Sequence, residues 1–405
     1  MRLTECISIG VLASVIRRDL VEEVINATGS RELRMRLLPT HVVVYYVIAL
    51  ALFFGEGYEE VMRRLVGGLQ YLRNWSDSWR VPTTSAISQA RARIGEAPLE
   101  ELFRRVAVPI ARPGSRGAWF GRYRLMAIDG VILDVPDTPE NNEEFDHTGT
   151  GRGPSAFPCV RIVGLGECGT HAIVSAAIGT WSTGERALTR DLLGDFEPEM
   201  LVLADRGFYS YDLWEEALRT EAALVFRVPA NMKLPALEIY PDGSYRSVLL
   251  HHRIQSRTRA KARRHYPGPH GDPSILEAAG IPCRVIEYSI DRADSNEVIC
   301  LITSILDPED APAHELAAVY QQRWEFELSL KEIEISQIGH NRVLRSKTPE
   351  MVRQEIWGIL LAHYAIRHLM HDAADTADVD PDRLSFIRSL RLVRRQTTDQ
   401  AGFSP

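Results

Sequence analysis

The longest apolar run of the chain, Val42 to Phe54 (VVVYYVIALALFF), is apolar on every side and predicts a buried helix within residues 40 to 54. It is shorter than the roughly 20 residues that a bilayer span requires, and Arg and Glu soon follow it. Amphipathic or buried stretches at 18 to 27 and 57 to 72 predict two further helices. Pro82, Thr83 and Thr84 then precede a helix from about Ser85, Gly95 to Pro98 break it, and another begins near Leu99. Residues 1 to 115 therefore predict an all-helical N-terminal domain.

From Arg124 the pattern changes to short strands: RLMAIDGVILDVPD, FPCVRIVGLGEC, THAIVSAAIGTW, LVLAD and AALVFRV. Tight turns first and a helical crossover later imply a mixed sheet, hence an α/β fold. The run Met200 to Ala204 has no polar alternation, as expected of a strand covered on both faces. Residues 226 to 311 read as a separate β-rich unit with CRVIEYSI and EVICLITSIL toward its end, dividing a core at 116 to 225 from its second part at 312 to 375. A helical stretch begins near Ala313, and Thr348 with Pro349 cap and open another that is apolar on most sides. Charge bias after Asp372 points to disorder, with a basic tail over 376 to 405.

With 405 residues, 45% hydrophobic and 25% charged, the chain reads as a soluble protein of more than one domain. Five cysteines (Cys6, Cys159, Cys168, Cys283, Cys300) without a CxxC pair argue against both a disulfide framework and a zinc site, and indicate a reducing cytoplasm. The N-terminus shows no export signal. The net charge of -7 hides an uneven distribution, because HHRIQSRTRAKARRHYP carries Arg253, Arg257, Arg259, Lys261, Arg263 and Arg264 and no acid. That run is either a solvated loop or a phosphate-binding surface. SFIRSLRLVRRQ near the C-terminus is a second basic stretch. The helix pair about Gly95 resembles a helix-turn-helix that would turn Arg91 and Arg93 toward phosphate, although such pairs are also plain packing units. His251 and His252, being adjacent, suit the basic loop better than metal ligation, and GTGRG at 149 to 153 reads as a hairpin loop.

Three acids stand at distinctive places: Asp129 in mid-strand, Asp205 at a strand's end and Glu327 on a helix. Each also has an ordinary reading, as an edge-strand Asp, a cap for the helix from Tyr211 to Leu218, and half of a solvent-facing pair with Lys331. Tyr320, Arg323 and Glu327, spaced i, i+3 and i+7, share one helix face that Lys331 continues. Three carboxylates from separate elements are what two Mg²⁺ ions require, with Mn²⁺ as a substitute. Two such ions about 4 Å apart activate a water or 3′-hydroxyl and stabilise the departing oxygen in phosphoryl transfer. Tyr320 and Arg323 would then reach a strand's phosphate.

On these residues the chain resembles the DDE transposases of bacterial insertion sequences, in the insertion-sequence-four group. AIDG supplies the first Asp (Asp129), LADRGFYS the second (Asp205), and Tyr320, Arg323 and Glu327 match the group's Tyr-x2-Arg-x3-Glu signature. The likeness covers most of the chain, including DVPDTPENN, HTGTGRGPSAFP and LRSKTPEMVRQEIWGILLAHYAIR. It implies an RNase-H-like core with a β-rich insertion at 226 to 311, metals on Asp129, Asp205 and Glu327, and a cytoplasmic, nucleoid-associated protein. It further implies binding to an element's terminal inverted repeats, cleavage there, joining of the 3′-hydroxyl ends to target DNA, and a homodimer in the synaptic complex.

Three departures accompany it. Position 334 is Glu334 where the signature continues with Lys, so a DNA contact there is missing or supplied by Lys331. Residues 226 to 311 contain Tyr240, Tyr245, Tyr266 and Tyr288 but no Trp, the residue that receives a flipped base in the group's best-known members during hairpin formation. The chain reaches Pro405 soon after its second basic stretch. Two rival readings follow: a shortened, inactive relative that represses transposition by binding DNA, and a metal-dependent nuclease without strand transfer.

Overall fold

Helices α1 (Arg18–Ala27), α2 (Thr40–Leu52), α3 (Tyr58–Gly67), α4 (Thr84–Ile94) and α5 (Ala97–Val106) form the N-terminal region of the computed structural model. The structure describes residues 9–32, 34, 38–67, 81–150, 153–266, 270–292, 295–340 and 342–398, so the end of the helix expected to reach residue 72 lies outside them. Thr83 caps α4 by accepting the Ala86 N–H, and Gly95 ends it at a φ of 68° that side chains resist. The next elements are β1 (Trp119–Phe120), β2 (Tyr123–Asp134), α6 (Pro139–Phe145), β3 (His147–Thr150), β4 (Gly153–Glu167), β5 (Ile173–Thr180) and α7 (Glu185–Asp191). They are followed by β6 (Met200–Ala204), α8 (Tyr211–Leu218), β7 (Ala223–Val228), β8 (Glu238–Ile239), β9 (Tyr245–Leu249), α9 (Gln255–His265) and α10 (Pro273–Glu277). Strands β10 (Ile281–Arg292) and β11 (Ser295–Thr303) precede α11 (Ala313–Tyr320), α12 (Arg323–Lys331), a π-helical turn (Glu332–Gly339), α13 (Pro349–Ala377) and α14 (Phe386–Thr398).

Strands β5, β4 and β2 run antiparallel to one another, while β2, β6 and β7 are parallel, which makes the mixed sheet of an RNase-H-like core. Every residue of β6 is buried, as its unbroken apolar run requires of a strand covered on both faces. One face (Ala127, Leu201, Leu203) packs on the N-terminal helices, α12 and α13, and the other (Met126, Val202, Ala204) on the α7 and α8 side.

The chain between 226 and 311 does not stand apart as its composition suggests. β11 pairs with β7, β10 with β11 and β9 with β10, so these strands extend the core sheet itself. Without β11, the edge of β7 would present unpaired N–H and C=O groups. The tail is likewise more ordered than its charge implies. α13 runs to Ala377, and α14 then buries Phe386, Leu390 and Val393, a stripe at helical spacing, in the core shared with the N-terminal helices.

Arg91 corrects the reading of the α4–α5 pair as a DNA reader. Its side chain is 0% exposed and donates to Gln354 Oε1 (2.8 Å), Tyr58 OH (2.7 Å), Ser346 Oγ (3.0 Å) and the Met351 carbonyl (3.2 Å). A guanidinium taken out of water needs all its donors matched, and the acceptors are on α3, α13 and the approach to α13. Arg91 is therefore a packing residue of the helix pair, while Arg93 stays exposed and donates to the Leu38 carbonyl at 3.0 Å.

Helix α12 reaches the sheet through two glycines of β4. A Cβ placed on Gly166 would come within 2.0 Å of the Phe326 ring, and one on Gly164 within 3.1 Å. Phe326, fully buried, fills the space that these side chains would have taken. Gly166→Ala is expected to destabilise the protein by about 1–3 kcal/mol through overpacking, read as a lower urea midpoint, and to displace α12. Arg91→Ala removes the donor to four acceptors, two of them buried, and is expected to cost about 3 kcal/mol in the same assay, against a far smaller effect for the exposed Arg93.

Candidate active site

The register of two neighbouring parallel strands sets the site. Ile128 on β2 pairs with Ala204 on β6, so the next residues, Asp129 within β2 and Asp205 just past the end of β6, stand side by side. Neighbouring strands lie about 4.8 Å apart. Glu327 comes from α12, the helix that Phe326 anchors to β4.

Asp129 Oδ1 accepts the Gly130 N–H at 2.8 Å, and Oδ2 accepts from Arg323 Nη1 at 3.3 Å. Burial pushes its carboxyl above the usual carboxylate range, with the charges of Glu327 and Glu185 adding to the push and Gly130 and Arg323 opposing it. Asp205 makes no capping hydrogen bond with its side chain, and Ser210 caps α8 instead, accepting the Leu213 N–H. The capping role is thus filled, which leaves the Asp205 carboxylate to face Tyr320 OH (3.4 Å) and Arg227 Nη1 (4.0 Å). Glu327 accepts from Lys331 Nζ at 2.7 Å and lies 3.9 Å from Arg323 Nη2.

Tyr320 and Arg323 are expected to reach a strand's phosphate beside metals held by the acids. In this structure both are buried and point into the acids. Arg323 bridges Asp129 and Glu327 and lies 4.9 Å from the Trp324 ring centre, while Tyr320 bonds Asp205 and the Ala204 carbonyl. The physical reason is Coulombic: carboxylates gathered in a partly buried site draw in the nearest cation. Gln321 and Gln322 break the helix between α11 and α12, but both stay in the right-handed helical region, so Tyr320 and Arg323 keep a common face.

Sequence reasoning missed a fourth carboxylate. Glu185, at the start of α7, lies 3.1 Å from where a Cβ on Gly130 would stand and 3.5 Å from the same point on Gly207. Small residues beside both aspartates leave it room. Its sequence signal, an acid in the first turn of a short helix, is too common to single out. Among the described residues, the one set of three His, Cys, Asp or Glu donors whose ligand atoms all lie within 4.8 Å is His171, Glu325 and Asp382, on the side of α12 away from Glu327. Burial raises the Glu325 carboxyl to about 7, Asp382 and Asp380 adding to the rise against the Gly169 N–H.

The basic run is a helix, α9, and not a loop. Arg253 just before it, and Arg257, Lys261, Arg263 and Arg264 on it, are exposed. Arg259 is half-buried and donates to the Lys233 carbonyl at 2.7 Å, burial holding its pKa below the usual arginine value. α9 packs through Ala262 on Val248 of β9, four strands along the sheet from β6, or roughly 20 Å at ordinary strand spacing. The structure therefore does not bring these cations to the acids. His251 is 3.4 Å from Asp212, meets the Tyr211 ring edge to face and lies tilted against His252, outside the one metal-like cluster of the described residues. Thr150 pairs with Gly153 across the β3–β4 hairpin, and Gly151 and Arg152 lie outside the described residues. Glu334 is half-buried in the π-helical turn. Cys159, Cys168, Cys283 and Cys300 are free and buried, and no helix among the described residues is long and apolar enough to cross a membrane.

Two family models match the chain: the insertion element 4 transposase N-terminal region over residues 6–104 and the transposase DDE domain over residues 120–365. The chain is 29% identical over 395 residues to the transposase InsG for insertion sequence element IS4 of Escherichia coli (strain K12), covering 97% of this chain and 84% of that protein. A solved piggyBac transposase synaptic complex with hairpin DNA aligns over 96% of this chain and 80% of its own, with a TM-score of 0.48 and 11% identity. The DDE domain alone spans more than half of the chain and contains Asp129, Asp205 and Glu327, and with the N-terminal match before it, the chain belongs to the DDE transposases of the insertion-element-4 family.

Proposed function

We propose that this transposase binds the terminal inverted repeats of its own element, cleaves the DNA at each end and joins the freed 3′-hydroxyls to target DNA, working as a homodimer in the synaptic complex. The observation that carries the reading is the Ile128–Ala204 register, which sets two aspartates side by side on parallel strands below Glu327. Asp129, Asp205 and Glu327 would hold two Mg²⁺ ions, or Mn²⁺ in their place, and their all-oxygen donor set suits these hard cations. Once bound, the ions would polarise the attacking and departing oxygens of an in-line phosphoryl transfer.

The remaining groups prepare that site. Gly130 N–H orients Asp129, and Tyr320 OH orients Asp205. Arg323 and Lys331 neutralise the acids in the present arrangement. With metal charge on the acids, Arg323 and Lys331 would be free to meet a DNA phosphate, the Arg fork matching two of its oxygens. α9 would follow DNA phosphates at a distance from the cut, and Arg93 would meet them at the N-terminal helices. The intact set of three acids favours the enzyme over the repressor.

Labelled DNA bearing the element's ends, incubated with the protein in Mg²⁺ and then Mn²⁺, is expected to be cut and joined. Asp205→Asn should abolish both steps and leave end binding in place. Persistent cutting by Asp205→Asn would remove that residue from the site; binding without cutting by the native chain would support the repressor, and cut but never joined ends the nuclease. For α9, replacing Arg257, Lys261 and Arg264 together by Gln is expected to flatten the log-log salt dependence of DNA binding by about 0.9 for each phosphate that the variant no longer neutralises. An unchanged slope would reject its role.

A further inference from the structure

Glu325 and Glu327 leave α12 on opposite faces, being two residues apart. The face that carries Glu325 meets the turn between β4 and β5. Glu325 Oε2 accepts the Gly169 N–H at 2.6 Å, and among the described residues none donates to its Oε1. His171, in the same turn, is 4% exposed. Its Nε2 is 2.8 Å from Asp382 Oδ1, and its Nδ1 is buried with no hydrogen-bond partner at all. Asp382 comes from a third element, the 3-10 turn Pro381–Arg383 that links α13 to α14. One donor atom from each of the three side chains lies within 4.8 Å of the others.

We propose that His171, Glu325 and Asp382 form a second metal site, separate from the catalytic acids, which takes one divalent transition cation, Zn²⁺ in preference to Mg²⁺, and clamps the C-terminal turn to the catalytic helix. The donor set decides the preference. Zinc accepts imidazole and carboxylate together, whereas Mg²⁺ requires hard oxygens. Tetrahedral bonds of about 2.1 Å place donors about 3.4 Å apart, so the widest separation would close by up to about 1.4 Å, while His171 Nε2 and Asp382 Oδ1, now 2.8 Å apart, would part slightly to admit the ion. Two ionised carboxylates and a neutral imidazole, the forms that ligate a metal, would give the site a charge of about -2, which the ion would cancel. On binding, the proton on the ligating ring nitrogen passes to the other nitrogen, the one without a partner, or to solvent.

Two features of the surroundings permit this. Arg367, whose charge acts on both Glu325 and Asp382, is committed to Glu332 through Nε (2.9 Å) and Nη2, so it does not fill the cluster. The Asp382 side chain is 46% exposed, which gives the ion an entry path and a position for water. Cysteine spacing, the signal by which a chain usually announces zinc, is absent here, and these three ligands are spread over residues 171 to 382.

The test uses the full chain carrying Asp129→Asn, which weakens metal binding at the catalytic acids, and titrates it with Zn²⁺ alone by calorimetry, with Co²⁺ absorption as a second readout. One tight Zn²⁺ equivalent is expected, accompanied by a higher thermal midpoint and slower tryptic cleavage at Arg383. Adding Asp382→Asn or His171→Gln should weaken that equivalent by about tenfold or more. Asp382 is on the surface, so its variant folds even if the His171 variant does not, and circular dichroism checks both. No tight equivalent in the Asp129→Asn chain, or an affinity unchanged by Asp382→Asn, would overturn the proposal.

Discussion

Carboxylates brought to one place repel each other, and in a partly buried site that repulsion is screened weakly. Much of the architecture around Asp129, Asp205 and Glu327 answers this constraint. Arg323 stands between the first and third, Lys331 on the third and Arg227 beside the second. Asp129, the most buried of the acids, still has its carboxyl pushed upward, because burial outweighs the single backbone N–H and the one guanidinium it faces. The cations are thus part of the site's construction as much as of its chemistry. Glu185, a fourth acid at the rim, adds to the charge they must balance.

Holding α12 against the sheet is the second requirement, and it is met from several directions. Phe326 drops into the gap left by Gly164 and Gly166. Glu325 takes the Gly169 N–H on the other side, and Glu332 beyond the helix end is held by His363 and Arg367 of α13. α13 in turn shares one apolar core with α2 and α5, while Glu355 on it accepts both backbone and side chain of Ser346. The N-terminal helices therefore support the catalytic helix through a continuous core, and their separation into an independent unit has no counterpart in the packing.

An acidic chain that handles DNA must confine its positive charge. The exposed cations of α9 lie at one end of the extended sheet, and the acids lie several strands away. Extending the sheet through β11, β10 and β9 both closes the edge of β7 and fixes α9 rigidly relative to the site. A separate, hinged insertion would leave that distance undefined.

Several features were determined by local pattern. The buried helix of Val42 to Leu52, the strand Met200 to Ala204 with an acid at its end, the cap at Thr83, and the order of Asp129, Asp205 and Glu327 all follow from periodicity, side-chain chemistry and motif spacing, whereas Thr348 stands at the start of α13 without a side-chain capping hydrogen bond. Tertiary structure alone decided the rest. Arg91 reads as a surface cation from its neighbours, yet its matching acceptors lie up to 263 residues away. The basic run gave no helical stripe, since α9 buries only Thr258 and Ala262, and the charged tail hid a helix whose apolar face needed α3 and the shared core to be recognised. His171, Glu325 and Asp382 meet only because a turn, a helix and a linker converge. Local sequence sets which conformations and chemistries are possible at a position, whereas burial and pairing depend on chain segments whose proximity no local pattern records.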